Sequence, residues 1–213
     1  MKKTFLLSCL MLAAMPVMAA YTGHVYVDKN KNGVFDQSEK PLAGIKVSDG
    51  LNVVETAADG SFTLPGHERE RFIFITTPSG YKTFNRHYHK IEKKQSGYDF
   101  GLIPYSGRIR KDGSHRYIHI TDTEIFNTEN HADWVNNVRD YARNEQAAFI
   151  IHTGDICYEK GLKAHIKLMN TENMDCPVFY CIGNHDLVKG KYGEELFESI
   201  YGPVYYSFDA GNV

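Results

Sequence analysis

Three short polar clusters in the second half of the chain carry residue types that could do chemistry. They begin at Asp122, Asp155 and Asn184, and the two spacings, 33 and 29 residues, are each about one strand–helix–strand repeat. Glu124 belongs to the first cluster, and His185 follows Asn184. Carboxylate and amide oxygens with a few imidazoles favour divalent manganese, iron, magnesium or zinc. The clusters therefore predict a metal site with Asp122, Glu124, Asp155 and Asn184 as candidate ligands.

The chemistry that these residues favour is hydrolysis of a phosphoester at two metal ions. Asp155 lies centrally in the order and could bridge the ions, which would share a hydroxide that is nucleophilic at neutral pH. That hydroxide would attack phosphorus in line, while the cations stabilise the developing charge. His185 is suited to protonate the leaving oxygen. The expected partner is a small phosphorylated substrate or a cell-envelope phosphoester, whose identity the sequence does not reveal.

Alternating strands and helices must position these clusters. Each cluster directly follows a short apolar segment typical of a strand, and segments with helical periodicity lie between them. The predicted strands are 117–121, 148–152 and 178–182, and the predicted helices are 131–144, 160–173 and 193–200. In the first helix we expect one buried face, made of Trp134, Val135, Val138, Tyr141 and Ala142. Such βαβ units form a mostly parallel sheet whose carboxyl strand ends line one crevice, so the three clusters should meet there.

A second constellation covers residues 28–39. Counted from Asp28, oxygen-bearing side chains fall at positions 1, 3, 5, 9 and 12, Gly33 occupies position 6, where a sharp turn is needed, and a backbone carbonyl would serve at position 7. The candidate calcium ligands are Asp28, Asn30, Asn32, Val34, Asp36 and Glu39. The pattern predicts a structural calcium ion in a loop of EF-hand chemistry between strands; the alternative is a polar surface turn.

The chain divides by pattern into four parts. Residues 1–19 have the pattern of a signal peptide, 20–103 of a small β-sandwich with the calcium loop, 104–114 of a polar linker, and 115–213 of an α/β domain. The predicted strands of the sandwich are 23–27, 44–48, 53–56, 61–64, 71–76 and 97–102, separated by turn signals such as Asp59-Gly60. The expected fold class is therefore α+β and multidomain.

Two blocks of the α/β part resemble a known family. His152-Thr-Gly-Asp155 and Ile182-Gly-Asn-His-Asp186 resemble the second and third signature blocks of calcineurin-like metallophosphoesterases, and residues 201–212 resemble the segment downstream. The resemblance covers 115–213 and implies the first half of an α/β metallophosphoesterase sandwich. It implies that Asp122 binds one metal, Asp155 bridges and Asn184 binds the other. It also implies that His185 holds the phosphate or protonates the leaving group, oriented by Asp186.

The sequence departs from that family pattern in two places. The first block of the family is usually Asp-x-His, and here Glu124 stands at the histidine position. A carboxylate is a harder ligand and could change the choice of metal, or leave the position unligated. Tyr158 stands where the family commonly has an acidic residue, and the neighbouring Glu159 receives no role.

The later histidines of the family, including a Gly-His-x-His block, do not occur in these 213 residues. We therefore expect a truncated product that binds the catalytic metals poorly and hydrolyses little. This feature and Glu124 give weight to an alternative from another class, a non-catalytic, calcium-stabilised surface or binding protein with a decayed phosphoesterase domain. In the N-terminal part, residues 20–65 resemble the prealbumin-like or Cna-B-like sandwiches of secreted bacterial proteins, which are usually spacers or attachment modules.

The N-terminus and the composition indicate where the protein is located and which partners it lacks. Lys2 and Lys3 precede an apolar stretch that is too short to cross a membrane and ends near the small residue Ala19, so we expect a cleaved signal and an exported, periplasmic or extracellular protein. The formal net charge of −2 lacks the basic signature of a nucleic-acid binder. After signal removal three cysteines remain, Cys157, Cys176 and Cys181. Three cannot all pair, and a Cys176–Cys181 bridge is conceivable outside the cytoplasm. Because Cys181 lies in a predicted strand and buried free thiols are common, we expect free thiols.

Overall fold

The structure is a computed structural model that describes residues 20–67, 69–95, 97–105 and 108–213, so the predicted signal peptide lies outside the described residues. The secondary structure is mixed, with several sheets and few helices. The strands are β1 (Ala20–Val27), β2 (Lys40–Pro41), β3 (Lys46–Ser48), β4 (Val53–Glu55), β5 (Ser61–Pro65), β6 (Phe72–Ile75), β7 (Tyr81–Thr83), β8 (Tyr88–Lys90), β9 (Phe100–Pro104), β10 (Tyr117–Ile120), β11 (Phe149–His152) and β12 (Val178–Tyr180). The α-helices are α1 (Ala132–Asn144), α2 (Glu159–Leu168) and α3 (Glu195–Tyr201), and residues Asn184–Asp186 form one 3₁₀ turn.

The N-terminal strands form two sheets that enclose one core. One sheet has the order β2-β1-β9-β7 with β5 also paired to β1, and the other has the order β4-β3-β6-β8. The pair of β1 and β9 is parallel, and the other pairs in these sheets are antiparallel. Val25 and Leu102 of the first sheet and Val47 and Ile73 of the second are fully buried in a shared cluster. Burial of such side chains, worth about 1.5–3 kcal/mol each, holds the two layers together.

The third sheet carries the polar clusters. Its order is β10-β11-β12, and both pairs are parallel, with Ile118 opposite Ile150 and Ile150 opposite Val178. The parallel sheet predicted from the alternating pattern is thus confirmed. Helix α1 lies between β10 and β11 in the chain, and α2 between β11 and β12. Apolar residues of the sheet and of α1, among them Ile150 and Ala142, pack in one cluster and fix the carboxyl ends of the three strands.

Several sequence predictions are wrong in detail. Trp134 and Tyr141 are 42% and 60% exposed, because α1 contacts the core only through a narrower stripe that contains Val135 and Ala142. Cys181 belongs to the predicted strand 178–182, but it is exposed and lies beyond the end of β12 at Tyr180; Cys157 and Cys176 are buried, and all three are free thiols. The strands β2, β7 and β8 were not predicted, since two or three residues are too few to show a period of two.

The sandwich and the α/β part are in contact. Arg71, just before β6, lies 2.8 Å from Glu198 of α3, measured from its guanidinium nitrogen to the carboxylate. Thr77 forms a parallel bridge with Phe208, and the hydroxyl of Thr76 lies 2.8 Å from that of Ser207. The division of the chain into domains at 104–114 stays a prediction. In the described ranges, no helix combines the length and the apolar character that crossing a membrane requires.

Candidate metal centre at the strand ends

The loops after β10, β11 and β12 lie side by side. The backbone N–H of Thr153 donates to the carbonyl of Ile120 at 2.9 Å, and that of Asp122 donates to the carbonyl of Gly154 at 3.2 Å. On the other side, the N–H of Cys181 donates to the carbonyl of His152 at 2.7 Å. The parallel register therefore continues past the last strand residues and brings the three polar clusters to one edge of the sheet.

The backbone at this edge is strained at the candidate ligands. Asp122, Glu124 and Asp155 have φ angles of 51°, 44° and 49°. They are three of the six non-glycine residues with positive φ in the described part of the chain. An L-residue in this conformation costs about 1 kcal/mol or more, although the short polar side chain of Asp tolerates it best. Such strain is concentrated at functional sites in proteins, which singles out these three carboxylates.

Two glycines allow the second and third loops to approach closely. Gly154 has a φ of 102°, and a Cβ atom on it would lie 2.7 Å from the Cα of Gly183. A Cβ atom on Gly183 would overlap the backbone nitrogen and Oδ1 of Asp155. The resulting contact is a hydrogen bond from the backbone N–H of His185 to Asp155 Oδ1, at 3.1 Å. Asp155 is thus held between the second and third loops.

Asp186 is bound by the backbone of two loops. Its side chain is fully buried, and its two carboxylate oxygens accept the backbone N–H groups of Gly183 at 2.8 Å and of Cys157 at 3.0 Å. Burial raises the pKa of this carboxyl, while the backbone hydrogen bonds oppose the rise. Within the described residues no hydrogen bond joins it to the ring of His185, and its implied role in orienting that ring stays a prediction. Asp186 ties the second loop to the third.

The ring of His185 is placed by two other side chains. Tyr158 stacks on it with ring centroids 4.8 Å apart and 22° between the planes. The Nδ1 atom lies 3.4 Å from Glu124 Oε1, and it is buried without a hydrogen-bond partner among the described residues. Sequence reasoning missed both contacts. The contact of Tyr158 could have been suspected from its position in the sequence, because it stands where the family block has an acidic residue.

A hydrogen-bonded chain fastens the first loop to the second. His152 is buried, and burial lowers the pKa of its imidazole to about 4, so the ring is neutral near neutral pH. Its Nδ1 accepts the N–H of Gly154 at 3.3 Å, which leaves Nε2 as the donor to Thr123 Oγ1 at 2.9 Å. The Thr123 hydroxyl donates in turn to the carbonyl of Ile156 at 3.3 Å. This chain holds Thr123, between the candidate ligands Asp122 and Glu124, in place.

The donors at this edge suit divalent metal ions. Asp122, Glu124 and Asn184 are exposed and Asp155 is half-buried. Asp122 Oδ2 accepts the hydroxyl of Thr121 at 2.6 Å. Exposed carboxylate and amide oxygens on adjacent loops are the ligands that hard divalent ions prefer. In the described residues, however, the carboxylates of Asp122, Glu124 and Asp155 are too far apart to form one cluster: no choice of one oxygen from each places all three within 4.8 Å of one another. Their sharing of a pair of ions therefore stays a prediction.

A tighter group of potential ligands lies in the sandwich, where the sequence had not indicated one. Atoms of Asp49, His67 and Glu70 lie within 4.8 Å of one another. Asp49 already accepts the backbone N–H groups of Leu51 and Asn52, and Glu70 accepts the hydroxyl of Tyr21 and the N–H of His67. Because these carboxylates are satisfied by internal hydrogen bonds, the group serves first to close the loops of the sandwich.

The predicted calcium ligands lie together in one folded loop. Asp28 and Glu39, at its two ends, are 1% and 6% exposed, whereas Asn30, Asn32 and Val34 are exposed. Asp36, which is half-buried, accepts the side-chain amides of Asn30 and Asn32 at 2.8 and 3.0 Å. The loop thus brings the side chains at its predicted ligand positions into contact; calcium binding itself stays a prediction.

Comparison with known proteins adds two matches. Residues 29–104 match the family model described as the N terminal of calcineurin-like phosphoesterase, and residues 115–211 match the model described as calcineurin-like phosphoesterase. No curated protein matches the chain. The two matches cover the sandwich and the α/β part, so both halves of the described structure are similar to parts of one kind of protein.

Proposed function

This chain belongs to the calcineurin-like phosphoesterase family, whose activity is metal-dependent hydrolysis of phosphoesters, and we propose that its strand-end loops hold two divalent metal ions for that reaction. The observation that carries the proposal is the strained, left-handed backbone of Asp122, Glu124 and Asp155 at neighbouring ends of parallel strands. Such strain is concentrated at functional sites in proteins, and here it falls on carboxylates, a side-chain type that divalent metal ions prefer.

The proposed ligands divide between the loops. Asp122 of the first loop would hold one ion, Asn184 of the third loop would hold the other, and Asp155 between them would contact both. The ions would supply positive charge that activates water and offsets the charge of the phosphoester. Glu124 is a further oxygen donor next to the first site, and its 3.4 Å contact with His185 links it to the third loop.

His185 is the residue we propose for proton transfer to the leaving oxygen. Its ring lies beside the ligand loops and is fixed by the stack on Tyr158. The buried carboxylate of Asp186 supports this arrangement indirectly, because it accepts the N–H of Cys157, two residues after Asp155, and that of Gly183, two residues before His185. We propose a phosphomonoester or a phosphodiester as the substrate, either a small molecule or a component of the cell envelope.

The non-catalytic alternative is not favoured. Residues 115–211 match a phosphoesterase family, and the sandwich matches the N-terminal part that accompanies such a domain. Glu124 at the histidine position is compatible with a changed choice of metal, since a carboxylate is still a metal ligand. Export beyond the cytoplasmic membrane is part of the proposal and rests on the signal-like pattern of residues 1–19. Calcium in residues 28–39 would have a structural role, separate from this chemistry.

The test is Mn²⁺ binding by the whole chain, followed by electron paramagnetic resonance, which distinguishes free from bound Mn²⁺. Asp155→Asn keeps the size, the hydrogen-bond acceptor and the tolerance of positive φ but removes the charge, and we expect it to weaken binding about tenfold or more. Asp209→Asn, an exposed residue that makes the same charge change, is the matched control and should bind as the parent does.

The same proteins should be assayed for hydrolysis of bis-p-nitrophenyl phosphate. We expect low turnover that requires Mn²⁺, stops on chelation and falls in Asp155→Asn but not in Asp209→Asn. Equal Mn²⁺ binding by the two variants, or turnover that survives chelation, would show that the strand-end loops do not hold the catalytic metals.

A further inference from the structure

The loop of residues 28–39 turns the charged ends of its first and last residues inward. Asp28 Oδ1 accepts the backbone N–H of Asn32 at 3.2 Å, and Oδ2 accepts that of Gly33 at 2.9 Å. Glu39 Oε1 accepts the N–H of Lys29 at 2.8 Å, and Oε2 accepts that of Asp36 at 3.2 Å. Gly33, with a φ of 72°, makes the sharp turn at position 6. The two carboxylates that begin and end the motif are therefore oriented into the same loop.

The charges of this loop lack a cationic partner. Asp28 and Glu39 are almost fully buried, and Asp36 lies between the two asparagine side chains. In the part of the chain that the structure describes, no lysine, arginine or histidine forms an ion pair with any of the three. Backbone hydrogen bonds offset part of the cost of burying Asp28 and Glu39, but the negative charge of the three carboxylates has no positive charge beside it, which a bound cation would supply.

An independent observation comes from the sheet beneath the loop. The side chain of Tyr26 in β1 is fully buried, and its hydroxyl has no hydrogen-bond partner among the described residues. The Tyr26 hydroxyl and Asp28 Oδ2 both lie close to Gly101. A Cβ atom built on Gly101 would be 3.3 Å from the hydroxyl and 3.0 Å from Oδ2. The ring packs against Phe35 of the loop, with centroids 4.9 Å apart. A buried polar group without a partner, aimed at a carboxylate cluster, indicates that a further ligand belongs there.

We propose that residues 28–39 bind one Ca²⁺ ion and that the hydroxyl of Tyr26 donates a hydrogen bond into its coordination sphere. The ligands are Asp28, Asn30, Asn32, the carbonyl of Val34, Asp36 and Glu39. A half-turn of each asparagine amide exchanges its nitrogen and oxygen and brings the oxygen toward Asp36, where the nitrogen now lies.

The all-oxygen ligand set selects calcium over other metals. The loop offers no histidine or cysteine, which zinc and copper prefer, and its twelve-residue length allows the many ligands that Ca²⁺ accepts. Mg²⁺ demands a stricter octahedral geometry and keeps its water more firmly. The ion would fasten the loop between β1 and β2 to the sheet that contains Gly101, and its role would be structural.

Calorimetric titration of the whole chain with CaCl₂, after chelation, tests the proposal. We expect one Ca²⁺ per chain with a dissociation constant of about 10⁻³ M or lower, which is at least the affinity of extracellular calcium modules. Glu39→Gln should weaken binding at least about tenfold, because it removes a charge and a bidentate ligand. Glu55→Gln, an exposed residue of β4, makes the same change outside the loop and should bind as the parent does. No heat of binding in the parent, or equal binding by the two variants, would overturn the proposal.

Terbium luminescence provides a second readout that does not depend on Glu39. Tb³⁺ occupies calcium sites, and a tyrosine next to the ion transfers excitation energy to it. Tyr26→Phe keeps the buried ring and its packing on Phe35. We expect this variant to bind Tb³⁺ but to lose most of the tyrosine-sensitised emission, and we expect Ca²⁺ to displace Tb³⁺ from the parent. Full sensitised emission in Tyr26→Phe would show that the ion lies elsewhere. Should Glu39→Gln fail to fold, Asn30→Ala at an exposed loop position replaces it, with the same expected loss.

Discussion

Tyr158 stacks on the imidazole of His185, with ring centroids 4.8 Å apart and 22° between the planes. Tyr158 follows β11 and His185 follows β12, so a residue of one strand-end loop positions the candidate proton donor of the next. Tyr158 is exposed, and Glu124 of the first loop lies at the Nδ1 atom of the same imidazole. The position of the imidazole thus depends on all three loops.

Removal of the stack should lower turnover without affecting metal binding. We expect Tyr158→Ala to reduce the rate of phosphoester hydrolysis about tenfold, because His185 loses a fixed orientation toward the leaving oxygen. Tyr158→Phe keeps the ring and should stay close to the parent. The measurements are Mn²⁺-dependent hydrolysis of bis-p-nitrophenyl phosphate and Mn²⁺ affinity in parallel. A loss of activity in Tyr158→Phe equal to that in Tyr158→Ala would point to the hydroxyl rather than the stack.

Glu124→His should change the choice of metal. The variant restores the Asp-x-His pattern, and histidine is among the residues that tolerate the positive φ of this position, 44°. Because imidazole is a softer ligand than a carboxylate, we expect Zn²⁺ or Mn²⁺ affinity to rise about tenfold relative to Mg²⁺. Competitive titration with pairs of metals measures the ratio. Glu124→Gln removes the charge without adding an imidazole, and a similar change of preference in it would attribute the effect to charge alone.

Gly183→Ala should destabilise the protein and weaken the metal site together. Its Cβ atom would overlap the backbone nitrogen and the carboxylate of Asp155, neither of which can move without parting the second and third loops. We expect the free energy of unfolding to fall by about 2–4 kcal/mol, measured by urea denaturation. Gly97→Ala is the control, since a Cβ atom there meets nothing within 4 Å. Equal stability of the two variants would mean that the loops are less closely packed than described.

Acid should destabilise the fold through buried neutral histidines. His165 is fully buried and contacts the hydroxyl of Tyr201 at 3.0 Å, and burial lowers the pKa of its imidazole to about 3. The unfolded chain binds the proton below pH ~6.5 and the folded chain does not. The contribution of the neutral His165 imidazole to the stability of the fold is therefore fully present above that pH. It is lost at about 1.4 kcal/mol per pH unit as the pH falls toward the folded pKa.

Urea denaturation between neutral pH and pH ~5 measures this slope. Burial also lowers the pKa values of His87 and His152 to about 4, so they add to the loss in the same direction. Between pH ~6.5 and pH ~5, the free energy of unfolding of His165→Gln should fall by about 2 kcal/mol less than that of the parent, because one titrating group is removed. Tyr201→Phe removes the hydrogen-bond partner but keeps the imidazole, and it should keep the slope of the parent. An unchanged slope in His165→Gln would contradict the assignment.

Local sequence patterns were enough to predict the parallel strands and the candidate ligands of both proposed metal sites without the structure. Repeat spacing predicted three parallel strands with Asp122, Asp155 and Asn184 at their ends, because alternation of strands and helices forces that topology. The loop spacing from Asp28 to Glu39 likewise places ligand types by their position along the chain alone. These predictions concern residues whose placement follows from a few neighbours in sequence, which is why one sequence was sufficient for them.

Only the tertiary structure decided which side chains touch. Asp186 turned to backbone N–H groups of two loops, and Tyr158 and Glu124 took the places beside His185. The Tyr26 hydroxyl, which has no hydrogen-bond partner among the residues that the structure describes, could be identified only once β1 was placed beside the loop of residues 28–39. Contacts between loops that are distant in the chain depend on close packing and on the direction of each backbone turn. No periodicity in the sequence encodes those directions.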